Sequence, residues 1–113
     1  MMKHVLIVGL TVGVIVWTGA HAHVGAQQTW VGMISASTCG ADHGGGEVDP
    51  KECTQKCIAN GDRYVLAINN PVTVLPIANQ DFGALPDRAG EIVRVTGELR
   101  GGSIVISTIE PSR

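Results

Sequence analysis

From residue 29 to residue 109 the chain passes through runs in which apolar side chains recur at every second position, separated by clusters of turn residues. The first run, residues 30–37, sets Trp30, Gly32, Ile34 and Ala36 on one face and Val31, Met33 and Ser35 on the other, the spacing of a strand. The second, residues 63–68, is rich in strand formers and ends at Asn69, Asn70 and Pro71, so it should turn back on the next run as a hairpin. The third, residues 72–77, holds Pro76, which has no N–H for a ladder and belongs at an edge or a strand end. In the fourth, residues 91–99, Val93, Val95, Gly97 and Leu99 are expected to face inward and Arg94, Thr96 and Glu98 to face water. Gly97, mid-strand, suits a bulge. Arg100, Gly101 and Gly102 then turn the chain into a fifth run, residues 103–109. Residues 78–90 read as a loop with one helical turn and no buried face of any length.

One stretch breaks the alternation. Asp49 has the side chain of an N-cap, Pro50 fits the first helical position and Gly61 fits the end, which predicts a short helix carrying Cys53 and Cys57. Residues four apart share a helix face, so the two sulfurs should point one way. Five strands and one helix in so short a chain predict a mainly β domain, a small five-stranded OB-like barrel with one short helix inserted after strand one; a sandwich would use more strands. The usual OB helix lies between strands three and four, and in this respect the chain departs from the pattern.

The N-terminus has a different character. Lys3 and His4 precede an uncharged apolar run, residues 5–16, followed by small residues at two cleavage-like positions, after Ala22 and after Ala26. That is the layout of a secretory signal peptide, and the run falls short of the roughly 20 apolar residues of a membrane span. Cleavage after Ala26 is favoured because it leaves Gln27 and Gln28 as a polar lead into the first strand. The expected organisation is therefore a signal peptide, 1–26, and a small exported domain, 27–113, periplasmic or secreted and without a membrane segment once processed. The mature chain keeps 87 of the 113 residues and, without Lys3, seven basic side chains against ten acidic ones. Such a balance argues against nucleic acid as a partner and leaves an envelope protein or a small ligand. A domain of this size has a marginal core and gains from a cross-link.

Candidate chemistry is confined to residues 39–57, where all three cysteines of the chain lie. His43, the sole histidine after residue 26, stands four residues beyond Cys39, and Gly44, Gly45 and Gly46 form a soft connector to the helix. Cys39, His43, Cys53 and Cys57 match a structural zinc set of three thiolates and one imidazole, and thiolates also suit copper(I). With four donors filled, such a site stabilises and does not catalyse.

A disulfide is the alternative, since exported proteins meet an oxidising environment. The candidates are again Cys39, Cys53 and Cys57, with one thiol left over. A bridge from Cys53 to Cys57 fits poorly because their side chains run parallel on adjacent turns. A bridge from Cys39 to either closes a loop of roughly 15 to 19 residues and contributes about 3 kcal/mol in the chain-entropy model. A third thiol beside a bridge is also the arrangement of a thiol-disulfide redox protein.

The pattern Trp30-x-Gly32-x-Ile34-Ser35-x-Ser37-x-Cys39-Gly40-x-x-His43, followed by Cys53-x-x-x-Cys57-x-x-x-Gly61-x-x-Tyr64 and by Gly90-x-x-Val93-x-Val95-x-Gly97, resembles a family of small exported bacterial proteins of uncharacterised function. The resemblance implies export and an OB-like β-barrel and brings no activity with it. An Asp often stands in that family where this chain has Ala36.

Other features have plainer readings. Asp42, Glu47 and Asp49 are an acidic loop without calcium-loop spacing. His21 and His23 would bear on copper only if cleavage preceded them. Trp30 and Tyr64 are core aromatics before they are a stacking platform. No Ser-His-Asp order, carboxylate pair or phosphate loop is present, so the expected role is a binding or structural module and not an enzyme.

Overall fold

The computed structural model describes residues 9, 12–14, 26–41 and 48–112. Nearly all of the expected signal peptide lies outside these residues, as do His21, His23, Asp42, His43 and Glu47. Among the described residues no helix is long and apolar enough to cross a membrane.

The strands form where alternation predicts them: β1 (Gln28–Ala36), β2 (Tyr64–Ile68), β3 (Thr73–Pro76), β4 (Ile92–Arg100) and β5 (Ser103–Pro111). Two short helices accompany them, α1 (Pro50–Ala59) and α2 (Leu85–Arg88). All five strands join one antiparallel sheet in the order β3-β2-β1-β4-β5. The fold is thus mainly β, with α1 inserted after the first strand as expected. Pro76 stands at the end of an edge strand, where its missing N–H costs no ladder bond.

The sheet does not close into a continuous ladder. Its edges, β3 and β5, meet at one isolated parallel bridge, Ile77 with Ile104, where the Ala78 N–H donates to the Ile104 carbonyl at 2.8 Å. Beyond that bridge, side chains take over from backbone. Asn79 accepts from the Ile106 N–H at 2.8 Å and donates to the Ile106 carbonyl at 2.9 Å. Gln80 does the same for Tyr64 at 2.7 and 2.9 Å, and its amide also donates to the Ile77 carbonyl at 2.7 Å. Each primary amide presents one donor and one acceptor in the arrangement of a peptide group, so two side chains serve strand edges that no strand covers.

The core gathers Ile34, Leu66, Val93, Val95, Ile104 and Ile106 from four strands, together with Tyr64 and Ile77. Trp30 packs against it, partly buried, so both aromatics take the core role. Leu85 and Ala89 are fully buried in it as well. The 78–90 segment therefore does own a buried face; it is two residues wide, too short for any periodicity to reveal.

One burial expectation is overturned. Glu98 is buried at 6% exposure and Leu99 lies 42% exposed, the reverse of simple alternation. The register of β4 against β5 shifts between Thr96, opposite Thr108, and Gly97, opposite Ile106, so the extra residue is Ser107 and the strand whose phase changes is β5. Leu99 stays opposite Ile104 and is exposed beside the Arg100–Ser103 turn. Gly97 makes the bulge possible, because a Cβ there would run into the Val105 carbonyl. The buried Glu98 carboxylate is satisfied by Arg100, at 2.8 Å from Nη2 and 3.0 Å from Nε.

Candidate metal centre

Two short pieces of backbone build the site. The first is the turn that leaves β1. Gly40 has φ +53, the left-handed region that glycine enters without strain, and its N–H donates to the Ala36 carbonyl at 2.8 Å. Ser35, fully buried, donates its hydroxyl to the Gly40 carbonyl at 2.7 Å. Ser35 thus fixes the turn that carries Cys39, a use that strand alternation alone does not reveal.

The second piece is α1. Asp49 accepts from the Lys51 N–H at 3.0 Å through Oδ1, the N-cap expected from sequence, and Pro50 opens the helix. At the other end the Asn60 N–H donates to the Lys56 and Cys57 carbonyls, and Gly61 reverses the chain at φ +99. Gly90 seats the helix: a Cβ there would meet the backbone of Pro50 and Lys51. Lys51 adds a hydrogen bond from Nζ to the Asp87 carbonyl at 3.2 Å.

These supports bring the three sulfurs together. Cys39 Sγ lies 3.1 Å from Cys53 Sγ and 3.0 Å from Cys57 Sγ, and all three atoms fall within 4.8 Å of one another. All are free thiols and partly exposed. A disulfide would set two sulfurs about 2.05 Å apart, whereas a tetrahedral ion with thiolates at about 2.3 Å would hold them roughly 3.8 Å apart. The observed spacing lies between, so bridging draws a pair in and coordination spreads the set out. Three soft donors converging from two segments are chemically suited to hold a thiophilic metal ion such as zinc. His43, the fourth ligand in the sequence reading, lies outside the described residues.

Burial, with smaller contributions from the Cys57 and Cys53 thiols beside it, pushes the Cys39 thiol up to about 12. Two sulfurs in contact with a third make a second negative charge costly, and a bound cation inverts that cost. Asp62, which sequence reading passed over, ties the two pieces together. Its Oδ2 accepts from the Thr38 N–H at 2.9 Å. The Thr38 side chain, the Thr38 N–H and, more weakly, the Cys57 thiol hold the carboxyl below the usual carboxylate value. Its own N–H donates to the Cys57 carbonyl at 3.0 Å. The clue was its place just past the helix end, next to the Gly61 reversal. Thr54, between the two helix cysteines, is fully buried and its hydroxyl has no hydrogen-bond partner among the described residues.

Comparison with models of protein families, with curated proteins and with solved structures finds no match to this chain.

Proposed function

We propose that residues 27–113 form an exported, OB-like module that binds one thiophilic metal ion through Cys39, Cys53 and Cys57, with His43 as the fourth donor. The observation that carries this reading is the convergence of three free thiols from the β1 turn and α1 within 4.8 Å. The module is a binding or structural one and not an enzyme, because four protein donors leave a metal no open position for substrate. Zinc or copper(I) fits the donor set. The OB-like description rests on the strand order and on the Ile77–Ile104 contact between the sheet edges. Export, with residues 1–26 as the signal, rests on the N-terminal pattern, and the resemblance to small exported bacterial proteins points the same way.

The test is expression of the full chain with export, followed by elemental analysis and thiol counting on the purified domain. About one metal ion per chain, with three thiols that react only after chelation, is expected. Metal-free protein with a single reactive thiol overturns the reading.

A disulfide-stapled envelope module is the second reading, favoured by the 3.0 and 3.1 Å sulfur separations from Cys39. It requires an oxidised chain about two daltons lighter than the reduced one. It fails if all three thiols alkylate without reduction.

A further inference from the structure

Cys39 occupies a special position in the cluster. It contacts both helix sulfurs at nearly equal distance, 3.1 Å to Cys53 and 3.0 Å to Cys57. Cys53 and Cys57 stand one turn apart on the same helix, where parallel side chains bridge poorly. Any internal disulfide therefore has to include Cys39, and the cysteine left out is always a neighbour of the bridge on α1. The sulfur separations do not favour one partner over the other: Cys39 meets the helix at both positions.

We propose that Cys39 is an exchange sulfur, so that oxidation produces one disulfide alternating between Cys39–Cys53 and Cys39–Cys57 and expels the metal ion. The expulsion rests on the metal-binding reading above; the alternation does not.

The oxidant is a small-molecule disulfide. Its S–S bond breaks and takes up two electrons and two protons as two thiols, while one S–S bond forms between Cys39 and a helix cysteine. In the exchange step the remaining helix thiolate attacks Cys39 Sγ. The new S–S bond forms as the old one breaks, and the displaced helix sulfur leaves as the thiolate, so no further oxidant is consumed. Partial exposure of all three sulfurs gives the oxidant access. Loss of two donors to the bridge leaves a metal ion one thiolate and one imidazole, and it departs with its charge unchanged.

Thiol mapping on the full-length exported protein tests this. The reduced protein, loaded with zinc, is treated with oxidised glutathione. The free thiol is alkylated under acid quench, and the bridged pair is labelled differently after reduction. The expected result is one free thiol per chain, spread over Cys53 and Cys57 within about tenfold, equivalent to less than about 30 mV between the two couples. Release of one zinc per bridge should accompany it. Cys53→Ser and Cys57→Ser should each still form a bridge to Cys39, and Cys39→Ser should form none.

A free thiol found at one helix position alone, or a Cys53–Cys57 bridge in Cys39→Ser, overturns the exchange role. Zinc that stays bound to the bridged chain overturns the expulsion. A split thiol in protein that never bound zinc refutes the metal reading and upholds the exchange.

Discussion

The two halves of the molecule are held by different forces. On the sheet side, Ile34, Leu66, Val93, Val95 and Ile104 are all fully or almost fully buried, and four strand pairings run through them. On the helix side, α1 fully buries one residue, Thr54, and that residue is polar and has no hydrogen-bond partner among the described residues; Ile58 is only partly buried. The helix is seated instead by contact with Gly90, one lysine hydrogen bond and the Asp62 links to the β1 turn. The three thiols lie where apolar burial is weakest, between the helix and the sheet. A cross-link there, ionic or covalent, adds most because little else holds that boundary.

Substitutions can separate the two halves. The largest effect belongs to the sheet. Leu66→Ala removes a fully buried side chain at the centre of the core and should cost about 2–5 kcal/mol, read as a fall in denaturant midpoint that metal or oxidant does not restore. An equal loss from a helix substitution with no effect here would invert the comparison.

Next comes Gly90→Ala. The position has φ +77 and no room for a Cβ beneath Pro50 and Lys51, so strain of about 1–2 kcal/mol is expected from the backbone alone. The readout is specific: faster alkylation of Cys53 and Cys57, with the sheet's amide protection kept. Loss of both together would mean that the halves are one cooperative unit.

Thr54→Val works in the opposite direction. It replaces a buried hydroxyl that has no partner among the described residues with a methyl of similar size and should raise stability by about 1 kcal/mol, measured by thermal unfolding of the metal-free reduced protein. A loss would show that the hydroxyl has a partner in solution.

The smallest effect is that of Asp62→Asn. The native carboxyl titrates below its ordinary value of 3.8, so the native state binds fewer protons than the unfolded chain in the acid range. The stabilisation is therefore complete above pH 3.8 and is lost as pH falls through the depressed native value. Asp62→Asn should flatten that part of the pH-stability curve and leave the curve near neutral pH almost parallel to that of the parent. An unchanged acid limb would place the carboxylate outside the clamp.

The sequence made the five strands, the helix with its Asp49 cap and the convergence of the cysteines legible, because each depends on spacing within a few residues. What it hid depends on partners distant along the chain. Asn79 and Gln80 look like loop residues until Ile106 and Tyr64 are seen beside them. Ser35 sits on the face opposite Trp30, Ile34 and Ala36, yet is buried beneath its own turn. Glu98 is buried by its bonds to Arg100 and Gln27 although β4 keeps its alternation, because the extra residue of the bulge opposite Gly97 is Ser107 on β5, which no local pattern of β4 reveals. Whether the sheet closes on itself is likewise a matter of how far two edges approach, which no local pattern encodes.

The bulge also bears on how this chain could tolerate length changes. Before Ser107 the even-numbered Ile104 and Ile106 of β5 are interior, and after it the odd-numbered Ile109 packs against the core. Deleting Ser107 would remove the bulge and let Ile104, Ile106 and Ile109 follow one unbroken alternation along β5. A shortened β5 of that kind would lose the local twist that a bulge adds, and with it the swing of β5 toward Ile77.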